Sequence, residues 1–407
     1  MSDMTDKVLI AGGGIGGLAC AVSLARAGVA VQVFERAPEL TEVGAGVQLG
    51  PNVTRIVQAW GLMPDVQAVA ALPAFLHARN ANSGEVLASL SLNGNTTQDS
   101  APYVTLHRAD LQGLLHRAAQ RLGVSVQCQA QVQAFQSLKD GVLAQVNLAG
   151  VDVNEPADAL VVADGVWSAL RQQLLHDGAA RLTGHLAYRT LVAQSALPSQ
   201  LRTQDVTVWM GPRVHVVQYP VRGGEWLNVV CLTEGQLEGV LLHDLQSWNL
   251  HHTAAQTRAD LTQALQGACP GLHDLVQACG DWRLWPLCDR PPMQGAHEHA
   301  QGRVALVGDA AHPMRPYLAQ GAGMALEDAA ELGHQWAAQT GQGVAARLQA
   351  FAQARWQRNA RVQARAIRNG QIFHLRGPMQ WARDASLRTM GPRLMDVPWL
   401  YGHRLPV

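Results

Sequence analysis

The stretch Lys7–Glu35, KVLIAGGGIGGLACAVSLARAGVAVQVFE, decides the fold. Lys7 to Ala11 is a short apolar run of strand length, and Leu18 to Ala27 carries helical spacing. Gly28 stops that helix, and Val29 to Phe34 forms a second strand that ends on Glu35. Strand, glycine turn, helix, strand and terminal acid together make a complete βαβ dinucleotide pattern. Gly12 makes the tight turn, Gly14 admits a pyrophosphate to the backbone with Gly16 beside it, and Gly17 lets helix and strand pack closely. Glu35, eighteen residues beyond Gly17, stands where an acid binds ribose hydroxyls. The pattern suits an adenosine ribose without a 2′-phosphate, which FAD and NAD share.

A second stretch, Arg303–Asp328, reads RVALVGDAAHPMRPYLAQGAGMALED. It is a strand, one carboxylate at Asp309, a loop stiffened by Pro313 and Pro316, and a helix start lined by Gly321, Ala322 and Gly323. Asp309 either caps a turn or accepts hydrogen bonds from a polyhydroxy cofactor, to which the helix start offers bare N–H groups. A third strand, Ala159 to Ala163, delivers Asp164 and Gly165 to another helix start. If these strands share one sheet, the two carboxylates and the N-terminal glycines converge at its carboxyl edge, where α/β sheets place ligands.

At 407 residues, with 48% hydrophobic content, the chain is expected to form two domains with large cores. Lys+Arg and Asp+Glu balance at 31 each, so no global charge draws it to nucleic acid or an anionic membrane. The six cysteines lack zinc-type or redox-type spacing, which fits reduced thiols in a cytoplasmic protein. The first apolar run is broken by glycines and Arg26, against a signal peptide or membrane span. The sixteen histidines lack helical metal spacing and read as solvated or structural, so no metal is expected.

Elsewhere, Glu42–Asn52 (EVGAGVQLGPN, containing Val47) reads as an extended glycine-rich loop, either a surface turn or a flat bed for a planar ring. A hairpin is expected around Asn82-Ser83-Gly84, and a loop over Asn93 to Ser100. Arg108, in the first turn of a helix, opposes the helix dipole, so it is either a solvated cation or an anion clamp. Val124–Val132 and Gly141–Leu148 read as further strands. Val206–Met210, Val214–Val221 and Glu225–Leu232 form an antiparallel set, turning at Arg222-Gly223-Gly224. In its middle strand His215 and Tyr219 share a face about 13 Å apart, either wetting their polar tips or flanking a ring-sized ligand. Leu245–Gln266 and Leu272–Cys279 are expected helices. The arginine-rich helix Val344–Arg368 is expected to be solvated or to form a homodimer interface.

Taken together, GGGIGG with Glu35-Arg36, ADGVWSALR with Asp164, Gly165 and Arg171, and VGDAAHPMRPYLAQGAGMALEDA resemble the single-component FAD-dependent aromatic hydroxylases, the para-hydroxybenzoate and salicylate hydroxylase family. The resemblance implies that Gly12, Gly14, Gly16 and Gly17 face the FAD pyrophosphate and that Glu35 and Arg36 serve the adenosine end. Arg108, in its R-A-D-L setting, would contact the flavin cofactor. Asp309 would bind the ribitol, Gly321 to Gly323 the pyrimidine ring, and Asp164 FAD together with NADH or NADPH. His215 and Tyr219 resemble the H-x-x-x-Y pair of 3-hydroxybenzoate 6-hydroxylase and 6-hydroxynicotinate 3-monooxygenase. Val47, where the latter enzyme has His, counts against hydroxynicotinate. Pro316 matches salicylate hydroxylases, whereas 3-hydroxybenzoate enzymes often carry Gln there, so the substrate stays open between these types.

The implied fold is α/β. A discontinuous Rossmann-like FAD domain (1–72, 104–180 and 282–342) carries an inserted antiparallel-sheet substrate domain (73–103 and 181–281) and a C-terminal helical segment (343–407). The implied activity is NAD(P)H- and O₂-dependent hydroxylation of a small aromatic acid through a flavin hydroperoxide. His215 would act as the base and Tyr219 would orient the substrate. A non-aromatic or fused-ring substrate, or flavin binding without oxygenase activity, are the alternative readings.

Overall fold

The computed structural model describes residues 5–40, 45–92, 101–235, 253–338 and 341–406. Its first layer is a six-stranded sheet in the order Ala300–Gln301, Val304–Leu306, Ala159–Val162, Lys7–Ala11, Ala30–Phe34, Ser125–Gln127. All neighbours are parallel except the first pair. The central strands are apolar because both faces are covered, and Val8, Leu9 and Ile10 are fully buried. In register, Ala11 lies beside Val162 and Val162 beside Leu306. The three strand ends that precede Gly12, Asp164 and Asp309 therefore emerge at one edge, the convergence expected from the sequence.

The helix Ile15–Arg26 covers this sheet and packs against Gly321–Ala338. That contact depends on small residues, since a Cβ on Gly333 would lie 2.1 Å from Ser23 Oγ. Gly17 has the same role toward the sheet: a Cβ there would meet the Gly12 carbonyl oxygen at 1.9 Å.

The second layer is a seven-stranded sheet in the order Arg283–Asp289, Arg181–Ala193, Trp226–Glu234, Val214–Val221, Val206–Gly211, Phe75–Asn80, Val86–Ser91. It is antiparallel apart from the pairing of Val206–Gly211 with Phe75–Asn80. The hairpin at Asn82-Ser83-Gly84 thus joins the same sheet as the antiparallel set. A three-stranded sheet of Ala130–Ser137, Val142–Leu148 and Val151–Ala157 flanks the first layer. Its last strand was not expected: Asn154, Glu155 and Pro156 carry no strand signal, and the segment is a solvent-facing edge, where proline is tolerated.

Three further expectations are corrected. Within Glu42–Asn52, Gly46–Leu49 is a strand rather than a loop, paired with Val104–His107. The long helix runs Val344–Phe373, and Arg347, Arg355 and Arg358 on it pair with acids of the chain rather than standing free in solvent, while Arg361 and Arg368 are exposed. Arg355 is buried against Glu327 and Asp328, and Arg358 pairs with Glu327. Arg365 and Arg368 line the main cavity, and Arg361 stacks over Trp399 at 4.0 Å. The cause is that Gly321–Ala338 buries acids at positions 327 and 328, and their charge requires cations.

Helices Ala254–Ala264 and Pro270–Ala278 cover the outer face of the second sheet; the proposed helical residues 245–252 and the loop residues 93–100 lie outside the described residues. The six cysteines are free thiols. Among the described residues no helix is long and apolar enough to cross a membrane.

Candidate active site

A cavity of about 1110 Å³ lies between the carboxyl edge of the first sheet and the inner face of the second, closed on one side by the long C-terminal helix. At the sheet edge its wall includes Gly12, Gly14, Gly16, Glu35, Arg36, Asp164 and Asp309. Gly12 sits at φ +110°, a left-handed conformation that favours glycine, and a Cβ there would meet the Ala163 carbonyl oxygen at 2.4 Å. Gly14 has nothing within 4 Å of its missing Cβ, so open space reaches the backbone at the start of the first helix. Glu35 accepts from the N–H groups of Gly13 at 2.7 Å and Ala37 at 2.8 Å, which fixes its carboxylate at the rim.

Asp164 is half-buried, and its Oδ1 is enclosed without a partner. Burial raises its pKa to about 6 against opposing bonds from Ser168 and backbone N–H groups. An enclosed acceptor on a cavity wall is what a ligand hydroxyl or N–H would satisfy. Arg171, seven residues on, ties this site to the next one. Its guanidinium donates to the Ala310 carbonyl at 3.0 Å and to that of Ala311, clamping the turn that carries Asp309. Asp309 is exposed on the cavity wall, and Gly321 and Ala322 form the wall beside it at the helix start. Gly323 is not among the residues that line the cavity, and its bare Cα makes room for Gln320 and Val53.

Beneath this wall lies a buried charge network. Asp328 accepts from Arg355 Nε at 2.9 Å, from the Gly308 N–H at 3.1 Å and from Asn359 at 3.0 Å, and pairs with His312 at 2.5 Å. Burial pushes its carboxyl up, but His312 and Arg355 outweigh that and hold it far below the usual range. His299, His312 and Asp328 come close enough to hold a metal ion. Both nitrogens of His299 are already bonded, to the Leu306 carbonyl and to Asn359, and Arg355 supplies the charge, so the cluster reads as an ion-pair network.

The second sheet contributes an apolar roof. Val208, Val217 and Val230 align across three strands, and Arg189 continues the row on the fourth. His215 lies on one side of this row and Tyr219 on the other, and all six residues line the cavity. Tyr219 stays protonated because burial raises its pKa, with Arg189, a bond to Gln48 and Arg108 opposing. His215 is 1% exposed, and burial, then His374 and His185, drive its pKa well below the usual imidazole value. It is therefore neutral at neutral pH and able to accept a proton. Val47, Arg108 and Pro316 complete the lining.

Sequence reasoning did not single out Arg189, Gln48, Tyr317 or His374. Arg189 had a signal: it is the one charge in the stretch Leu186–Ala193 of its strand. His374 had none, because it ends a helix that packs on the roof only in the folded chain.

A family model described as an FAD binding domain matches residues 5–366. The chain belongs to this FAD-binding family. Among its relatives, 3-hydroxybenzoate 6-hydroxylase of Polaromonas naphthalenivorans is 34% identical over 97% of this chain and 95% of that protein. A 3-amino-4-hydroxybenzoate 2-monooxygenase of Streptomyces platensis, PtnB3, is 35% identical over 97% of this chain and 96% of its own. The structure of Klebsiella pneumoniae HpxO with FAD and uric acid shares the fold, with a TM-score of 0.82 at 24% identity over 96% of this chain and 94% of that one. The residues of the sheet edge fit the cofactor that gives the family its description: bare backbone at Gly12 and Gly14, Asp164 with its unpartnered Oδ1, and a helix start at Gly321 all belong to the wall of one cavity.

Proposed function

We propose that this protein is an FAD-dependent monooxygenase that hydroxylates a small hydroxylated aromatic acid of the 3-hydroxybenzoate or salicylate type, with NADH or NADPH as reductant. The observation that carries the reading is the roof: a neutral buried imidazole, a protonated tyrosine and one arginine on an otherwise apolar face of the family's cofactor cavity. Bound FAD supplies the chemistry that activates O₂ with electrons from NAD(P)H.

The protein's own residues do the rest. Gly12, Gly14 and Gly16 leave room for the pyrophosphate, Gly17 lets the first helix pack close beneath them, and Glu35 and Arg36 would serve the adenosine end. Arg108, Asp164 and Asp309 would hold the cofactor, and the N–H groups at Gly321 and Ala322 would favour negative charge beside the helix start. His215 takes the proton of the substrate hydroxyl, which makes the ring more nucleophilic. Tyr219 donates to the substrate and orients it. Arg189, between the two, pairs with the carboxylate. The valines of the roof, with Val47 and Pro316, exclude water, which would otherwise divert the oxidant.

The test is NADH and NADPH oxidation by the flavin-loaded protein against a panel of hydroxybenzoates, quantifying hydroxylated product and hydrogen peroxide together. A hydroxybenzoate that stimulates oxidation and appears as product supports the reading. Stimulation by none of them, with peroxide as the sole product, refutes it.

A further inference from the structure

His215 cannot act alone. A buried imidazole that disfavours its charged form is a poor store for a proton, so a proton accepted there must move on. The structure shows where it would go. His215 Nδ1 lies 2.9 Å from His374 Nε2. His374 does not line the substrate cavity; it lines a second cavity of about 400 Å³ together with His185, Glu234 and Arg315. Its Nδ1 lies 3.5 Å from Glu234 Oε1, close but not yet hydrogen-bonded, and the Glu234 side chain is 39% exposed. The imidazole pair thus spans the wall between the enclosed site and an outer cavity.

The surroundings favour passage over storage. Burial, then His185, Arg383 and Arg315, lower His374 to about 3, and burial, then Arg315, lowers His185. The groups around the pair are Arg315 from the loop after Asp309, Asp289 and His185 from neighbouring strands, Arg383 from the following helix, and Glu234 with Arg213 at 3.5 Å. Tyr317 packs its ring 4.8 Å from that of His215 and bonds His185 at 2.6 Å, holding the pair in register.

Resting on the hydroxylase reading, we propose that His215 and His374 form a proton exit line from the substrate hydroxyl to Glu234 and the second cavity. In the step, the substrate O–H breaks and its proton binds His215 Nε2, while the Nδ1 proton of His215 passes to His374 Nε2. The Nδ1 proton of His374 passes to the Glu234 carboxylate or to water. One proton leaves the substrate, one reaches the outer cavity, each imidazole changes tautomer, and nothing is oxidised or reduced. His374 is a positioning and relay residue that does not touch the substrate.

The experiment mixes flavin-loaded, oxidised protein, at a pH below the free phenol's pKa, with 3-hydroxy-4-nitrobenzoate, whose phenolate absorbs in the visible, and follows phenolate formation together with proton release to an external dye. Benzoate, which has no hydroxyl, reports binding alone. In His374→Ala the expected result is an unchanged benzoate Kd, phenolate formation at least tenfold slower, and recovery as imidazole is added, because the gap opens on the second cavity. Glu234→Gln is expected to slow proton release to the dye several-fold. Should His374→Ala lose its flavin, His374→Gln is measured in its place, with the same slowing expected. Wild-type rates in the His374 variants, or a slow His374→Ala rate that imidazole leaves unchanged, overturn the relay. Wild-type protein that binds benzoate but neither nitro- nor unsubstituted hydroxybenzoates overturns the functional reading, and the relay with it.

Discussion

Asp164→Asn tests whether the cavity edge is built for a ligand at the expense of the empty protein. In the folded chain burial raises this carboxyl from an ordinary value of 3.8 to about 6. That rise corresponds to about 3 kcal/mol, since each tenfold change in proton affinity is about 1.4 kcal/mol. Because the folded pKa lies above the unfolded one, the penalty is absent below the unfolded value, where both states are protonated. It grows as pH rises through the interval and is complete above about 6. Asparagine keeps an oxygen to accept from Ser168 but carries no charge to desolvate. Flavin-free Asp164→Asn should therefore match the wild type near pH 4 and exceed it by up to about 3 kcal/mol at pH 7.5, measured by urea denaturation followed through tryptophan fluorescence. The same change should weaken FAD binding, because a neutral acceptor replaces a charged one, a loss of about 1 kcal/mol or about fivefold in Kd. A stability difference that stays flat between pH 4 and 7.5 would refute the reasoning, since it would mean that Asp164 titrates alike in the folded and unfolded chains.

Three further outcomes follow from the geometry. Arg355→Met takes the arginine from the buried Asp328, which keeps His312, and from Glu327, which keeps Arg358, so a loss of about 3–5 kcal/mol is expected in urea unfolding at pH 7. Both carboxyls are held below their ordinary values in the fold, so that loss should shrink as pH falls below about 4, where the wild type gives up the same stabilisation. Gly46→Ala would place a Cβ 2.5 Å from the Tyr219 ring, so it should displace Tyr219 and raise the fraction of NAD(P)H consumed as peroxide, with about 1–3 kcal/mol lost in stability. Arg189→Met should raise KM for a carboxylated phenol about 10- to 150-fold while leaving that for an uncharged phenol nearly unchanged, as steady-state kinetics would show.

The parts of this fold legible in the sequence are those where one backbone constraint selects one residue type. Gly12 must be left-handed and Gly17 must touch a carbonyl, so the βαβ unit could be read from residues 12 to 35 alone. His215 and Tyr219 were legible as a pair because alternation on a strand is rigid. The long helix was not legible in the same way. Its arginines at 355, 358, 365 and 368 repeat at spacings that suit a solvated stripe as well as a buried one, and periodicity cannot tell which face meets the protein.

The missing information lay in a different segment. The run GAGMALEDAAEL buries Glu327 and Asp328 within a helix whose neighbours are alanine, leucine and methionine. Acids in so apolar a helix start were read as part of a cofactor motif, yet their burial is tolerable only if cations reach them from elsewhere. The cation count of the long helix and the acid count of the short one are therefore one observation. Arg355, by neutralising Asp328, frees that carboxylate to hold the Gly308 N–H and His312, which shape the turn presenting Asp309 to the cavity. The helix that looked like an outer surface thus supports the cofactor edge through Arg355. Its last turn also carries His374 to the back of the roof, so one element connects the two ends of the site.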